Sequence, residues 1–357
     1  MSDSAETYSA LANSQAAHAP SSPQGLRVLW LHNFDPGIPV SGVFMHLLAD
    51  AMQANGIRVD MLYAGKLTQP LDVWRAYAQL KLLAPSFDLV HAQYGSMCGL
   101  IGSWVAGCKL MSLRGSDWYG LPSGDWRERA HLMLANWLSR LAVPRYNQVI
   151  TMSHNMKREV EARFAGQLHR PVHVLPDGLS TQHFCPMDRQ VCRAQLGCAQ
   201  DTRPWVLVTT LVANNPIKRI ELALAAVELA KKYIPDLQLK ITANVPHEQM
   251  PVWVNACNMV LMTSLHEGWP NAIKESLACN VPFVSTDVSD LAGIAAQEPS
   301  CAVVAAQPQA LADAIVACLG HHNTANLRHC VQGMDVDVVA KNLGLLYRQV
   351  LESPCAA

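Results

Sequence analysis

The chain of 357 residues is too long for one ordinary hydrophobic core and fits two domains of roughly 150 residues each. Half of its residues are hydrophobic and 15% are charged, which supplies apolar material for buried strands and excludes a generally disordered chain. With 27 basic against 28 acidic residues, the net charge of −1 excludes broad electrostatic binding to nucleic acid, so any anion must be held locally.

Residues 1–25 are small and polar without a basic-then-apolar signal, which predicts a flexible leader outside the fold and no export. RVLWLHNF, 27–34, predicts a buried first strand whose exit carries the turn residues Asp35, Pro36, Gly37 and Pro39. From Gly42, VFMHLLADAMQANG sets Phe44, Leu47, Leu48 and Met52 near helical spacing and stops at Gly56, before VDMLYA starts another strand. That is a βαβ unit with a right-handed crossover. The cycle continues with a helix over 71–83, the strand FDLVHAQY, a glycine-rich helix start over 95–102 and the strand KLMSLRG. The long helix RERAHLMLANWLSRLAV, the strand NQVITMS and a last strand in PVHVLPDGL bring the chain to a boundary near residue 180.

PWVLVTTLV opens a second cycle. It passes an Asn214, Asn215, Pro216 turn into the helix KRIELALAAVELAKKY, and the strands LQLKITA, MVLMTS, VPFVSTD and CAVVA follow. VAKNLGLLYRQVLES is a well-patterned helix with no strand left to pair with, expected to pack back across the domain junction. The expected fold is therefore α/β, with two Rossmann-like domains at 26–180 and 181–335, a cleft between them, and a crossing helix and tail at 336–357.

Eleven cysteines are scattered from Cys98 to Cys355 with no C-x-x-C pair and no His/Cys cluster at zinc spacing, which predicts reduced thiols, a cytoplasmic location and no metal site. Apolar runs such as LIGSWVAG are too short to span a bilayer.

The most informative segment is SLHEGWPNAIKESLACNVPFVSTDVSD, 264–290. A strand ends at Thr263, a loop with Gly268 and Pro270 follows, and a helix opens near Asn271. In open α/β sheets ligands bind beyond the carboxyl ends of the strands, and a helix N-terminus offers free N–H groups to a phosphate. Glu267 on the loop and Glu275 on the helix are suited to sugar and ribose hydroxyls, because a carboxylate accepts two hydrogen bonds from a vicinal diol. The turn holding Lys218 and Arg219 is a second anion candidate, with two cations expected at a helix start. Ser41 and Gly42 form a third. His91, and likewise His32, stand at strand ends where they reach either the cleft or the core, and Asp117 either binds an acceptor hydroxyl or caps a helix.

EGWPNAIKESLACNVPFVSTDV, with Glu267 and Glu275 separated by seven residues, resembles the signature of family 4 of the retaining glycosyltransferases, which have the GT-B fold. PDGLSTQHFCP resembles that family's interdomain strand exit, NPIKR its basic phosphate turn and LYRQVLES its crossing helix, so the likeness runs from about residue 27 to 353. The resemblance implies transfer of a hexosyl group from a UDP- or GDP-sugar to a saccharide or lipid-linked acceptor, with retention of configuration, no metal and no further cofactor, as in polysaccharide or glycolipid biosynthesis. Acceptor binding falls to the first domain and the nucleotide sugar to the second. Glu275 would bind the ribose, Glu267 the sugar ring, and the backbone of Gly268, Trp269, Pro270 and Asn271 would lie along sugar and diphosphate. Lys218 and Arg219 would neutralise the diphosphate, supported by Ser41 and Gly42.

Three positions depart from the family pattern. Thr210–Leu211 replaces an arginine context, Ser41–Gly42 a double glycine, and Leu113 to Asp117 a His-Gly, which makes Arg114 a candidate for phosphate or acceptor. Two rival readings are a nucleotide-sugar epimerase and a non-catalytic nucleotide-sugar binder or assembly subunit. The cationic amphipathic stretches LDVWRAYAQLKLLA and RERAHLMLANWLSRL raise peripheral contact with the inner face of the cell membrane.

Overall fold

Val28, Leu29, Trp30 and Leu31 are consecutive and all fully buried, as in a strand covered on both faces. They belong to β1 (Arg27–His32) in a computed structural model describing residues 25–37, 42–120, 125–168, 170–210, 215–243, 245–321 and 326–352. Residues 1–24 of the expected leader, Ser41 and Asn214 lie outside the described residues. After β1 come α1 (Val43–Ala54), β2 (Arg58–Tyr63), α2 (Pro70–Leu83), β3 (Leu89–Ala92) and α3 (Ser96–Gly102). Then follow β4 (Lys109–Leu113), α4 (Trp126–Ala142), β5 (Gln148–Thr151), α5 (His154–Arg163) and β6 (His173–Val174). These strands form one parallel sheet in the order β2-β1-β3-β4-β5-β6.

The second sheet, also parallel, has the order β11-β10-β9-β7-β8. Its elements are α6 (Arg189–Gln195), β7 (Trp205–Thr210), α7 (Ile220–Ala230), β8 (Gln238–Ala243), α8 (Met250–Ala256), β9 (Met259–Met262) and α9 (Asn271–Ala278). β10 (Phe283–Thr286), α10 (Leu291–Ala295), β11 (Ala302–Val304), α11 (Pro308–Gly320) and α12 (Val336–Glu352) complete it. In each sheet the strand order reverses once, between β1 and β3 and between β7 and β9. Beyond the carboxyl ends of such a switch point, diverging loops leave a crevice.

The chain crosses between the two sheets twice, side by side. Leu179 pairs with Asp335, and the Asp335 carboxylate accepts from the amide and hydroxyl of Thr181. A Cβ on Gly178 would meet the Val336 backbone at 2.8 Å, so this crossing needs a residue with no side chain. α12 then returns to the first sheet and packs on α1, burying Val339, Leu343, Tyr347 and Val350 at helical spacing.

Three local expectations change. The last strand of the first domain shortens to His173–Val174, between Pro171 and Pro176, which cannot donate to a ladder. α5, in the polar stretch HNMKREVEAR, buries Met156 and Val160 and is fixed by a Ser153 cap rather than by a broad apolar face. Lys218 and Arg219 do not open a helix: Pro216–Lys218 is a 3-10 turn, and Arg219 is left-handed at φ +47° before α7 begins at Ile220. Nine of the described cysteines form no disulfide, whereas Cys108, against the expectation of reduced thiols, is disulfide-bonded. Among the described residues no helix is long and apolar enough to cross a membrane.

Candidate active site

A cavity of about 440 Å³ lies between the two sheets at their switch points. Gly42, Phe44, Tyr94, Arg114 and Ser116 line it from the first domain; Thr210, Lys218, Glu267 to Asn271, Lys274 and Glu275 line it from the second. Two helix N-termini open into it. α1 starts after Gly42, left-handed at φ +75°, and α9 starts after Pro270, and neither has a side-chain cap. Uncapped first-turn amides carry partial positive charge, so the two domains present anion seats to one space.

Lys218 leaves β7 and Glu267 leaves β9, and the switch point brings them together, with Nζ to Oε1 at 2.6 Å. Both are partly exposed to the cavity, with side chains 25% and 19% accessible. Glu275, one turn into α9, accepts no hydrogen bond among the described residues, and burial pushes its carboxyl up to about 7. An acceptor without a donor in the lining of the cleft can accept from ligand hydroxyls.

Arg114 lines the same space but its guanidinium is already engaged. It pairs with Asp177, donates from Nε to the Gln93 carbonyl at 2.6 Å and from an amino group to the Gln93 side chain at 2.7 Å, and stacks 4.2 Å from the Phe44 ring centroid. Its free role is thus to fix the β3 and β4 exits against the interdomain strand. Sequence reasoning missed Lys274, which is fully buried and donates to the Asp177 carbonyl at 2.6 Å. Burial lowers it to about 8. A lysine between Ile273 and Glu275 on a short amphipathic helix gave no sign that its ammonium would reach residue 177.

The two domains touch backbone to backbone beside the cavity. A Cβ on Gly268 would fall inside the Arg114 carbonyl, and one on Gly115, at φ +132°, would lie 2.9 Å from the Gly268 amide. Opposite this contact, the Asp290 carboxylate accepts the His154 and Asn155 amides at 2.8 and 2.9 Å, capping α5 from the other domain.

Four expected residues are placed differently. Arg219 turns away from the cavity and donates to the carbonyls of Thr263 and Ser264 at 2.6 and 2.7 Å, so it holds the β9 exit instead of a phosphate. His91 is buried beneath the cavity, with Nδ1 2.6 Å from the Tyr347 hydroxyl and Nε2 2.9 Å from Ser112. It serves to seat α12, and burial holds it at about 3, hence neutral. His32 is likewise buried and lowered to about 4. Asp117 neither caps a helix nor faces the cleft: its carboxylate accepts the amides of Gly95, Arg114 and Gly115.

Residues 206–321 match the family glycosyl transferases group 1. Over 245 residues the chain is 25% identical to TuaC of Bacillus subtilis (strain 168), assigned as a teichuronic acid biosynthesis glycosyltransferase. That match covers 64% of this chain and 60% of the relative, so the chain spans about three fifths of the curated relative's length. Among solved structures, sucrose-phosphate synthase from Thermosynechococcus elongatus superposes with a TM-score of 0.70 at 20% identity, covering 92% of this chain and all of that one. Anabaena HepE in complex with UDP-glucose does so with a TM-score of 0.68 at 17% identity, covering 91% and all of it. At these identities the structures bear on the fold, while the family match bears on the domain that carries Lys218, Glu267 and Glu275. The second domain thus matches the glycosyl transferases group 1 family over residues 206–321, and the chain is built on the GT-B fold.

Proposed function

We propose that the chain is a retaining glycosyltransferase of family 4 that moves a hexosyl group from a UDP- or GDP-sugar to a saccharide or lipid-linked acceptor, without a metal. The observation that carries this reading is the convergence of Lys218, Glu267, Glu275 and two uncapped helix N-termini on one interdomain cavity. A nucleotide sugar matches that set group by group. Its diphosphate suits the helix ends and Lys218, where charge develops as the glycosidic bond breaks. Its ribose suits the unpartnered Glu275, and its sugar suits Glu267. Apolar Val245, Met250 and Met262 offer a wall for the base. HepE, a solved structure of similar fold, holds UDP-glucose.

For the acceptor, support comes from a second cavity of about 1000 Å³ that shares Phe34, Tyr94 and Ser116 with the first. It runs between α2, with Trp74 and Tyr77, and α4, with His131 and Leu134. The rims of these helices expose Leu82, Trp126, Met133 and Trp137 beside Arg75, Lys81, Arg127, Arg129 and Arg140. Apolar and aromatic side chains ringed by cations suit an anionic membrane surface that delivers a lipid-linked acceptor.

Thermal unfolding with a panel of nucleotides and nucleotide sugars tests the donor, since a ligand of the folded state raises the midpoint. A rise with one nucleoside diphosphate, and a larger one with its sugar conjugate, is expected. No rise with any removes the donor assignment, and binding without transfer to any acceptor replaces the enzyme with a nucleotide-sugar binder.

A further inference from the structure

Outside the cleft, one cluster of metal-ligating side chains has a geometry that an ion pair alone does not require. Glu298 stands in the loop between α10 and β11, and His329 and Cys330 stand in the 3-10 helix Leu327–Met334. Their donor atoms all lie within 4.8 Å of one another. His329 Nε2 is 3.4 Å from Glu298 Oε1 and 3.5 Å from Cys330 Sγ. Zinc bonds of about 2.0–2.1 Å to nitrogen, 2.0–2.2 Å to oxygen and 2.3 Å to sulfur, set at tetrahedral angles, give edges of about 3.4 Å for N to O and about 3.6 Å for N to S. Both measured separations match those edges.

A second, independent observation concerns the imidazole. His329 Nδ1 lies 2.7 Å from the Asn326 carbonyl, which can only accept, so Nδ1 carries a hydrogen, and in the neutral imidazole that tautomer leaves the lone pair on Nε2. That lone pair is on the side facing Glu298 and Cys330. A ring whose far nitrogen donates to a carbonyl is the usual second-shell arrangement of a metal-bound histidine. Access is open, with the His329 side chain 53% exposed while that of Glu298 is 10% exposed.

We infer that Glu298, His329 and Cys330 form a zinc site in which Glu298 binds through a carboxylate oxygen, His329 through Nε2 and Cys330 as thiolate, its proton passing to solvent, with water in the fourth position. None of the three lines the interdomain cavity, so the site is separate from the proposed transfer chemistry. Its place in the fold gives it a mechanical role. Arg328, between Asn326 and His329, donates to the carbonyls of Ala278 at the end of α9 and of Phe184 and Thr181 at the interdomain crossing. A metal tying Leu327–Met334 to the α10 loop braces the rear of the helix whose front end lines the cleft.

The test uses the full-length protein, stripped of metal, with cobalt(II) as a spectroscopic probe and zinc as competitor. One equivalent of cobalt is expected to give a thiolate charge-transfer band with tetrahedral visible bands, both abolished by one equivalent of zinc. Cys330→Ser is expected to remove the charge-transfer band, and His329→Ala to weaken binding by about tenfold or more. Zinc should raise the thermal midpoint of the wild type and leave that of Cys330→Ser unmoved. Circular dichroism checks that each variant folds, and the half-exposed His329 provides the variant least able to disturb the core. No band in the wild type, an unchanged band in folded Cys330→Ser, or an unchanged cobalt affinity in folded His329→Ala overturns the site.

Discussion

The Lys218 ammonium lies 2.6 Å from the Glu267 carboxylate, although the two leave different strands and are 49 residues apart. Each side chain is the other's charged partner. On the proposed donor binding, a diphosphate entering between the helix N-termini would compete for Lys218 and free Glu267 to face the sugar. Lys218→Ala is expected to lower kcat by about 10²–10³-fold, the scale for losing one preorganised stabiliser of developing charge. Steady-state kinetics check this: the loss should fall on kcat more than on donor KM. A rise in KM alone shows that Lys218 contributes only ground-state binding.

Gly268 and Arg114 provide the next prediction. A Cβ on Gly268 would overlap the Arg114 carbonyl, and both groups are backbone, so neither can swing aside. Gly268→Ala should therefore hold the two domains apart rather than unfold either one. Small-angle scattering is expected to show a larger radius of gyration, and kcat should fall about 10²-fold, as for an ångström-scale misplacement of reacting groups. An unchanged scattering curve with full activity shows that closure does not depend on this contact.

Tyr347 joins α12 to the first domain, accepting from Trp30 Nε1 at 2.9 Å and reaching His91 Nδ1 at 2.6 Å. Tyr347→Phe leaves the buried indole N–H without that acceptor, at a cost of about 1–3 kcal/mol. Chemical denaturation should report that loss, while the pH dependence of turnover stays as in the wild type because His91 seats the helix and takes no proton. A shifted pH profile returns His91 to the chemistry.

What the sequence could reveal follows from distance along the chain. The strands showed as apolar runs, and Glu267 and Glu275, eight positions apart across one loop and one helix, were readable as a unit. Lys218 was readable as a cation at a strand exit, but Arg219 beside it was not separable from it. Which of two adjacent cations faces the cleft is set by the left-handed turn at Arg219 and by carbonyls at 263 and 264. His91 ends a strand, and whether such a residue meets cleft or core depends on α12, more than 240 residues later. The partners of Arg114 and Lys274 at Asp177, and of Glu298 at His329, are made by the fold alone.

The last prediction concerns Glu275. Burial pushes its carboxyl from 4.5 to about 7, with Lys274 opposing the shift only in part. A folded-state value above the unfolded one means that the folded chain holds this proton more tightly. Its contribution to stability is then complete below about pH 4.5 and is lost as pH rises through about 7. The stability of the wild type relative to Glu275→Gln should decline across that window and level off above it. Ribose hydroxyls donate, and donors favour the carboxylate, so a nucleotide bound as proposed would pull the value back down and expel a proton. Calorimetry of UDP or GDP binding near pH 6, in two buffers of different ionisation enthalpy, is expected to show a fraction of a proton released. That release should vanish well above pH 7 and be missing in Glu275→Gln, which should also bind more weakly. Equal release by the variant moves the proton to another group, and proton uptake by the wild type contradicts a hydroxyl ligand at Glu275.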